Sequence, residues 1–409
     1  MVTVRFVTLF GVFFCVYVVA AAELPYPEIP SCASSCASHE IAYSNCSVTD
    51  QDCLCHDTAY ATKVQACVLQ NCTVKEALVA RNQSSTACRV PITEPAHVYQ
   101  WFPGVLFALP TFLMIGRLAN KWLHISPWGW DDSSIVAAYL ILAAFLPASV
   151  FALRAGAGRD IWTLDPDQIT DLLLIVYIFG LLYFFGLAFI KMSIIFLYFR
   201  IFPDEKFRKV LWATQVFNLL LLISFAAGQL ALCQPLNFVW VGWTKEFPGK
   251  CFDRNGFIIA HGAINVALDL WMLALPLTQL YGLHMQRRKK LGVMFMFSLG
   301  AFLTAVSAYR IKVVLEFATS LNFSADSLGT SLWSHIELCT GVVVACLPSA
   351  RQLWMRGIPN IVRRTPKTTP DESPEASRSR EPNAKSNVEI TTFQDNFGRN
   401  SYTEETRII

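Results

Sequence analysis

From Pro95 onward the sequence breaks into seven apolar runs, at about 98–117, 134–154, 172–199, 210–232, 257–280, 291–314 and 328–348. Each meets the length of about 20 helical residues needed to cross a hydrocarbon core. Lipid offers the backbone no hydrogen-bond partners, so each run must satisfy its own bonds as an α-helix. A chain patterned in this way is restricted to an all-α bundle embedded in a lipid bilayer. Composition points the same way. Charged residues make up 15% of the chain, against about 25% in soluble domains. A net charge of +3 gives no basic surface large enough to grip phosphate, so nucleic acid is not an expected partner. The third run contains Lys191, which either rides on a tilted or extended helix or ends that span early.

The two ends differ from this middle. Arg5 precedes an apolar run from Phe6 to Val19, followed by Ala20, Ala21 and Ala22. A charged start, a short apolar stretch and a small-residue site predict a signal peptide over 1–22. Its removal leaves the mature N-terminus outside, in an oxidising compartment. The stretch 351–409 holds ten basic and eight acidic residues among many Pro, Ser and Thr. It lacks the apolar surface to offset its ordering entropy and reads as a disordered tail. Loop charge then sets the orientation. One set of loops carries ten basic residues: Arg117, Lys121, Arg200, Lys206, Arg208, Lys209, Arg287, Arg288, Lys289 and Lys290. The other set carries five: Arg154, Arg159, Lys245, Lys250 and Arg254. The positive-inside rule puts the richer set and the tail in the cytoplasm. The expected protein enters by the secretory pathway and spans the plasma membrane, N-terminus extracellular.

Between signal peptide and bundle, residues 23–96 form a separate unit. Eight of the chain's 13 cysteines fall there: Cys32, Cys36, Cys46, Cys53, Cys55, Cys67, Cys72 and Cys88. An even number in so short an extracellular stretch predicts a disulfide framework rather than a zinc module, since no Cys-x-x-Cys knuckle is present. Eight cysteines allow 105 pairings, so spacing leaves the connectivity open. Sequons at Asn45, Asn71 and Asn82, and a fourth at Asn322 in the last outer loop, predict glycosylation on the extracellular side. Cys233 and Cys251 share another outer loop, where they are placed to pair; Cys339 and Cys346 lie in the seventh run and read as free thiols.

PSCASSC, CSVTDQDCLC, CVLQNC and the final Cys88 give the spacing C-x3-C-x9-C-x6-C-x-C-x11-C-x4-C-x15-C. This head resembles the fungal CFEM domain, a small helical basket. The resemblance implies the pairs Cys32–Cys72, Cys36–Cys67, Cys46–Cys53 and Cys55–Cys88. Haem-binding members of that family use an Asp three residues before the fourth cysteine as axial ligand to ferric iron, and here the position is Asp50. A hard carboxylate oxygen suits iron(III). The plainer reading makes Asp50 the cap of the next helix.

The membrane part is similar to a fungal receptor-like family. Its members join a CFEM head to seven helices called a fungal rhodopsin domain, which is also found in a membrane protein of satratoxin biosynthesis clusters. The matching stretches are WGWDD at 128–132, KMSIIFLYFRIF at 191–202, CQPLNFVW at 233–240 with GKC at 249–251, Asp269 with Pro276, Arg310, WSHIE at 333–337 and LPSAR at 347–351. The resemblance implies a cell-surface receptor for an extracellular ligand, in a setting of host interaction or virulence. The alternatives are a membrane-anchored haem or iron binder serving iron acquisition and a host-directed CFEM effector. The name does not extend to retinal, because 328–348 has no Lys to carry a Schiff base. No G-x-S-x-G, H-E-x-x-H or P-loop is present, so an enzyme is not expected. The stretches RIFPDEKFRK and HMQRRKK are candidate contacts for a G protein, another effector or anionic lipid, although the acid-Arg-Tyr switch of animal receptors is absent.

Charges at membrane depth are expensive and need partners. His261, Asn265 and Asp269 recur at i, i+4, i+8 and share one helix face. His335 and Glu337 lie in the seventh run and Arg310 near the end of the sixth. These six predict a buried network in which Arg310 pairs with Glu337 or Asp269 and lines an outward-facing cavity. The competing role is glue between helices.

Overall fold

The computed structural model describes residues 29–95, 98–280, 287–320 and 322–352, with the side chains of 98, 280, 287–296, 319 and 352 left aside. The expected signal peptide and nearly all of the expected tail lie outside those residues. The head is four helices: α1 (Ser31–Ile41), α2 (Gln51–His56), α3 (Thr58–Asn71) and α4 (Val74–Ala87). Capping explains where they start. Asp50 accepts from the Cys53 amide at the head of α2, Asp57 accepts from the amides of Ala59 and Tyr60, and Thr73 with Glu76 forms a reciprocal capping box on α4. The apolar core of the head is only Ala33, Cys36 and Val68 among the described residues. Four disulfides supply what so thin a core lacks: Cys32–Cys72, Cys36–Cys67, Cys46–Cys53 and Cys55–Cys88. Each such link is worth about 2–4 kcal/mol in small domains.

Seven helices of membrane-crossing length and composition follow. They are α5 (Val98–Trp122), α6 (Trp130–Arg154), α7 (Pro166–Ile201), α8 (Glu205–Leu230), α10 (Arg254–Leu280), α11 (Arg287–Thr319) and α12 (Phe323–Gln352), with the short α9 (Phe238–Val241) in the loop after α8. Most outrun their apolar stretches by several residues. Helix hydrogen bonding does not stop at the hydrocarbon edge, and the ends are set by polar turns. Asp165 and Gln168 box the start of α7, and Asp204 caps α8. Only α8 stops short, two residues before its expected end at 232, because the chain then turns into a two-stranded ribbon. Cys233–Gln234 (β1) pairs antiparallel with Lys250–Cys251 (β2), and Cys233 is bonded to Cys251. Lys191 lies within the continuous α7, which settles the alternatives in favour of an extended helix. Half of the most apolar stretch of both α7 and α12 is buried, against 17% for α5, which makes α7 and α12 the central helices. Cys339 and Cys346 are buried and free.

The helices run alternately from the head end of the bundle to its far end. Trp122, Trp128 and Trp130 are exposed at the far end, where aromatic rings anchor a bundle at the lipid–water boundary. The head is seated on the loops at its own end. The Thr93 amide donates to Asp160 Oδ2 at 2.8 Å, and Asn322 Nδ2 donates to Asp160 Oδ1 at 2.7 Å. Lys75 meets Glu246 at 2.7 Å, and the Arg81 guanidinium lies over the Trp162 ring. Gly158 makes the close approach possible: its φ is +86°, and a Cβ there would strike Leu328 and Pro95.

Candidate functional site: two buried polar clusters

The first cluster sits midway through the bundle and joins four helices. On α7, Lys191 forms an ion pair with Asp269 of α10 and also donates to the Asn265 carbonyl at 3.2 Å. Asn265 Nδ2 donates to Glu337 Oε1 of α12 at 2.9 Å. From α11, Ser307 Oγ lies 2.6 Å from Glu337 Oε1 and 3.0 Å from Asp269 Oδ2. Tyr183, two turns before Lys191 on α7, donates to Glu337 Oε2 at 2.6 Å. Arg310 donates to Ser334 Oγ at 3.0 Å, stands 3.8 Å from Glu337 Oε2, and places its guanidinium 3.8 Å from the centre of the Tyr183 ring. Two cations face two carboxylates, so the cluster is electrically neutral. Charges so well paired are tolerated at membrane depth.

Four of the six residues singled out from the sequence therefore meet: Asn265, Asp269, Arg310 and Glu337. The two histidines do not join them. His261 is surrounded by the rings of Phe184, Phe225 and Tyr183, with the Phe184 centroid 4.3 Å away. His335 lies against Phe145 and lines a separate cavity of about 40 Å³ in the head half of the bundle. Their shared helix faces bring them to the interior, but aromatic packing claims the space around them. The expected Arg310–Asp269 alternative is not made, because Lys191 takes Asp269. Lys191 and Tyr183 were missing from the expected set. Their signal was present in the sequence, as a Tyr and a Lys two helical turns apart in a mainly apolar run.

The second cluster lies at the far end and joins α5, α6, α7 and α12. Arg117 donates through Nε to Asp132 at 2.8 Å, through one terminal nitrogen to Asp131 at 2.5 Å, and through the other to the Ala345 carbonyl at 2.7 Å. Lys121 reaches Asp132 at 2.6 Å, and Ser193 Oγ donates to the Asp131 carbonyl. Arg200 approaches Asp131 at 3.8 Å. Sequence reasoning counted Arg117, Lys121 and Arg200 as loop charges. Arg117 is instead 1% exposed, deep enough to be a structural bolt.

The central cluster borders the largest of the described cavities, about 130 Å³, lined by Lys191, Asp269, Glu337, Thr304 and otherwise mainly aliphatic side chains of α7, α10, α11 and α12. It occupies the far half of the bundle, not the head half, because bulky rings of α7, α8 and α10 fill the space on the head side of Lys191.

Residues 116–356 match the fungal rhodopsin domain and residues 25–89 match the CFEM domain. The chain belongs to the fungal rhodopsin domain family. It is a multi-pass membrane protein of receptor-like type with a CFEM head. It is 26% identical over 194 residues to the "Fugralins biosynthesis cluster protein 2" of Gibberella zeae, covering 46% of each chain. It is 26% identical over 228 residues to a "SAT4 family membrane protein" of Emericella nidulans, covering 54% of this chain and 53% of the relative. It is 24% identical over 202 residues to "Receptor GIN3" of Arthrobotrys oligospora, covering 49% of this chain and 48% of the relative. The chain thus spans about half the length of the curated relatives it matches. No solved structure matches it.

In this fungal rhodopsin-domain protein, α12 holds no Lys anywhere in Phe323–Gln352, so it offers retinal no amine. Asp50 in the CFEM head is exposed, and its Oδ1 accepts the Cys53 amide at 3.1 Å. Elsewhere in the head, hydrogen bonds from the Tyr60 amide and the Ser44 hydroxyl hold the Asp57 carboxyl below the usual range, and the Thr73 amide and hydroxyl do the same for Glu76. Asn45 and Asn71 are exposed and Asn82 is half-buried. Asn322 is half-buried as well, and both ends of its amide are engaged, by Asp160 and by the Ile161 backbone amide at 3.1 Å.

Proposed function

We propose that this protein is a plasma-membrane receptor that senses an extracellular cue and passes it through the bundle to a cytoplasmic effector. The basic stretches 200–209, around the α7–α8 turn, and 287–290, at the start of α11, are the contacts for that effector in this reading, a G protein among the candidates. The head faces outward in this reading, as the loop charges require. The observation that carries the proposal is the seat of the head. Thr93, the α6–α7 loop and the α11–α12 loop converge on the single carboxylate of Asp160, which is 3% exposed. A ligand-induced shift in the head is thereby transmitted to α6, α7 and α12, the helices that meet again in the cluster around Arg117 and Asp131. The relative named as a receptor supports the same reading.

The test is to loosen the seat of the head at Asp160, with Lys75–Glu246 and Arg81 over Trp162 left in place. Asp160→Ala removes both bonds while leaving disulfides and helices in place. In intact cells exposed to candidate cues, with cytosolic second messengers followed, the variant is expected at the cell surface with its response reduced at least fivefold. A full response from the loosened protein sinks the proposed route through the head.

A second reading, a membrane-anchored haem binder, has one observation in its favour. Asp50 presents an exposed carboxylate with a single described bond, and Val48, 74% exposed, offers apolar surface two residues away. Bound haem would supply a ferric iron centre; Asp50 would give the oxygen ligand and surrender its role as helix cap. Titrating ferric haem into the full-length protein should then produce a Soret shift that Asp50→Ala abolishes. An unshifted spectrum with the intact protein removes this reading.

A further inference from the structure

The cavity beside the central cluster has an uneven lining. At one end stand Lys191, Asp269 and Glu337; along its length stand aliphatic side chains such as Ile194, Leu273 and Leu303. Among its lining residues Ile201, Leu277 and Phe297 are 47%, 44% and 37% exposed, apolar side chains on helices of membrane-crossing length. The polar end retains hydrogen-bonding capacity. An ammonium group has three donors, and Lys191 uses one on Asp269 and one on the Asn265 carbonyl. The carboxylate oxygens of Asp269 each accept one described bond and have lone pairs to spare.

Charge decides what completes this end. The cluster already sums to zero. A carboxylate or amine ligand would add an uncompensated charge at membrane depth, which costs at least about 2.5 kcal/mol. A hydroxyl adds none: it accepts from the third N–H of Lys191 and donates to Asp269. Size bounds the remainder. A cavity of about 150 Å³ holds benzene, so about 130 Å³ encloses at most about six carbons, and a longer tail runs out past Leu277 and Phe297. We infer that this cavity is a binding site for a neutral lipophilic alcohol, entered from the bilayer, with its hydroxyl between Lys191 and Asp269. The inference deepens the receptor reading by naming a ligand class for the bundle, and it rests on that reading only for what occupancy signifies.

The experiment uses the full-length protein in lipid nanodiscs and a diazirine-bearing octanol as photolabel. Labelling should saturate on peptides of α7, α10, α11 and α12 that line the cavity, the α12 wall including Val344. Octanol should compete at concentrations at least tenfold below those needed for octane or octanoate. Val344→Phe, which fills the space, should reduce cavity labelling at least fivefold and leave the label on the lipid face of α5 unchanged. If that variant does not fold, Leu277→Trp at the mouth gives the same readout. Equal competition by octanoate, or labelling spread over all lipid-facing helices and unchanged by filling the cavity, overturns the inference. Occupancy is read without any signal, so an empty cavity leaves the receptor reading standing, and a silent receptor leaves an occupied cavity intact.

Discussion

Lys191→Met should destabilise the bundle by about 3–5 kcal/mol, the usual effect of removing one partner from a buried ion pair. Lys191 and Asp269 are 4% and 7% exposed, so bulk solvent does not screen the carboxylate left behind. Ser307 Oγ stays 3.0 Å away, but its one proton is shared with Glu337 at 2.6 Å and does not neutralise a charge. The loss should appear as a lower melting temperature and a lower yield of monodisperse protein in mild detergent. The double variant Lys191→Met with Asp269→Leu should recover most of the stability, since both charges then leave together. That recovery separates a penalty for orphaned charge from a plain loss of packing. A single variant as stable as the parent would falsify the view that this pair holds α7 to α10.

Arg117→Ala should be at least as damaging, again about 3–5 kcal/mol. The guanidinium grips two carboxylates and a backbone carbonyl on two other helices with three separate nitrogens. Lys121 still reaches Asp132, but Asp131 keeps only Arg200 at 3.8 Å. Arg117→Lys should restore little, because a single ammonium cannot reproduce the fork that binds several acceptors at fixed angles. Hydrogen exchange offers the sharper readout: the first turns of α6 should lose protection in both variants while the disulfide-closed head does not. Unchanged exchange in α6 would show that the helix is held by packing alone.

Much of the fold was legible because lipid leaves the backbone so few choices. Seven apolar runs could only become helices, and their approximate limits followed. The true ends were harder to see, since they depend on caps such as Asp165 and Asp204, whose signal is one or two residues long. The site was legible on α10, where Asn265 and Asp269 repeat with the helix period, and at Arg310 and Glu337, which are conspicuous among apolar neighbours. Partner choice was not legible. Nothing in one sequence says that Asp269 pairs with Lys191 rather than Arg310, because that follows from how the helices rotate against each other. Arg117 was misread for a related reason. A basic residue near the end of an apolar run has the same appearance whether it faces water or, as here, the interior beneath α12. The histidines show the limit of periodicity, which places a residue on a face without saying whether polar groups or rings will surround it.

Both polar clusters include α7 and α12, while α8 enters neither and is joined by neutral contacts such as Asn218 to the Ala188 carbonyl and the Trp271 indole to Thr214. Mechanically, two beams run the length of the frame and are riveted at mid-height and at the base. A push on either beam is shared by α5, α6, α10 and α11 at once. Helix α8 is the one panel held by neither rivet, and parting it from its neighbours would break no buried ion pair among the described residues.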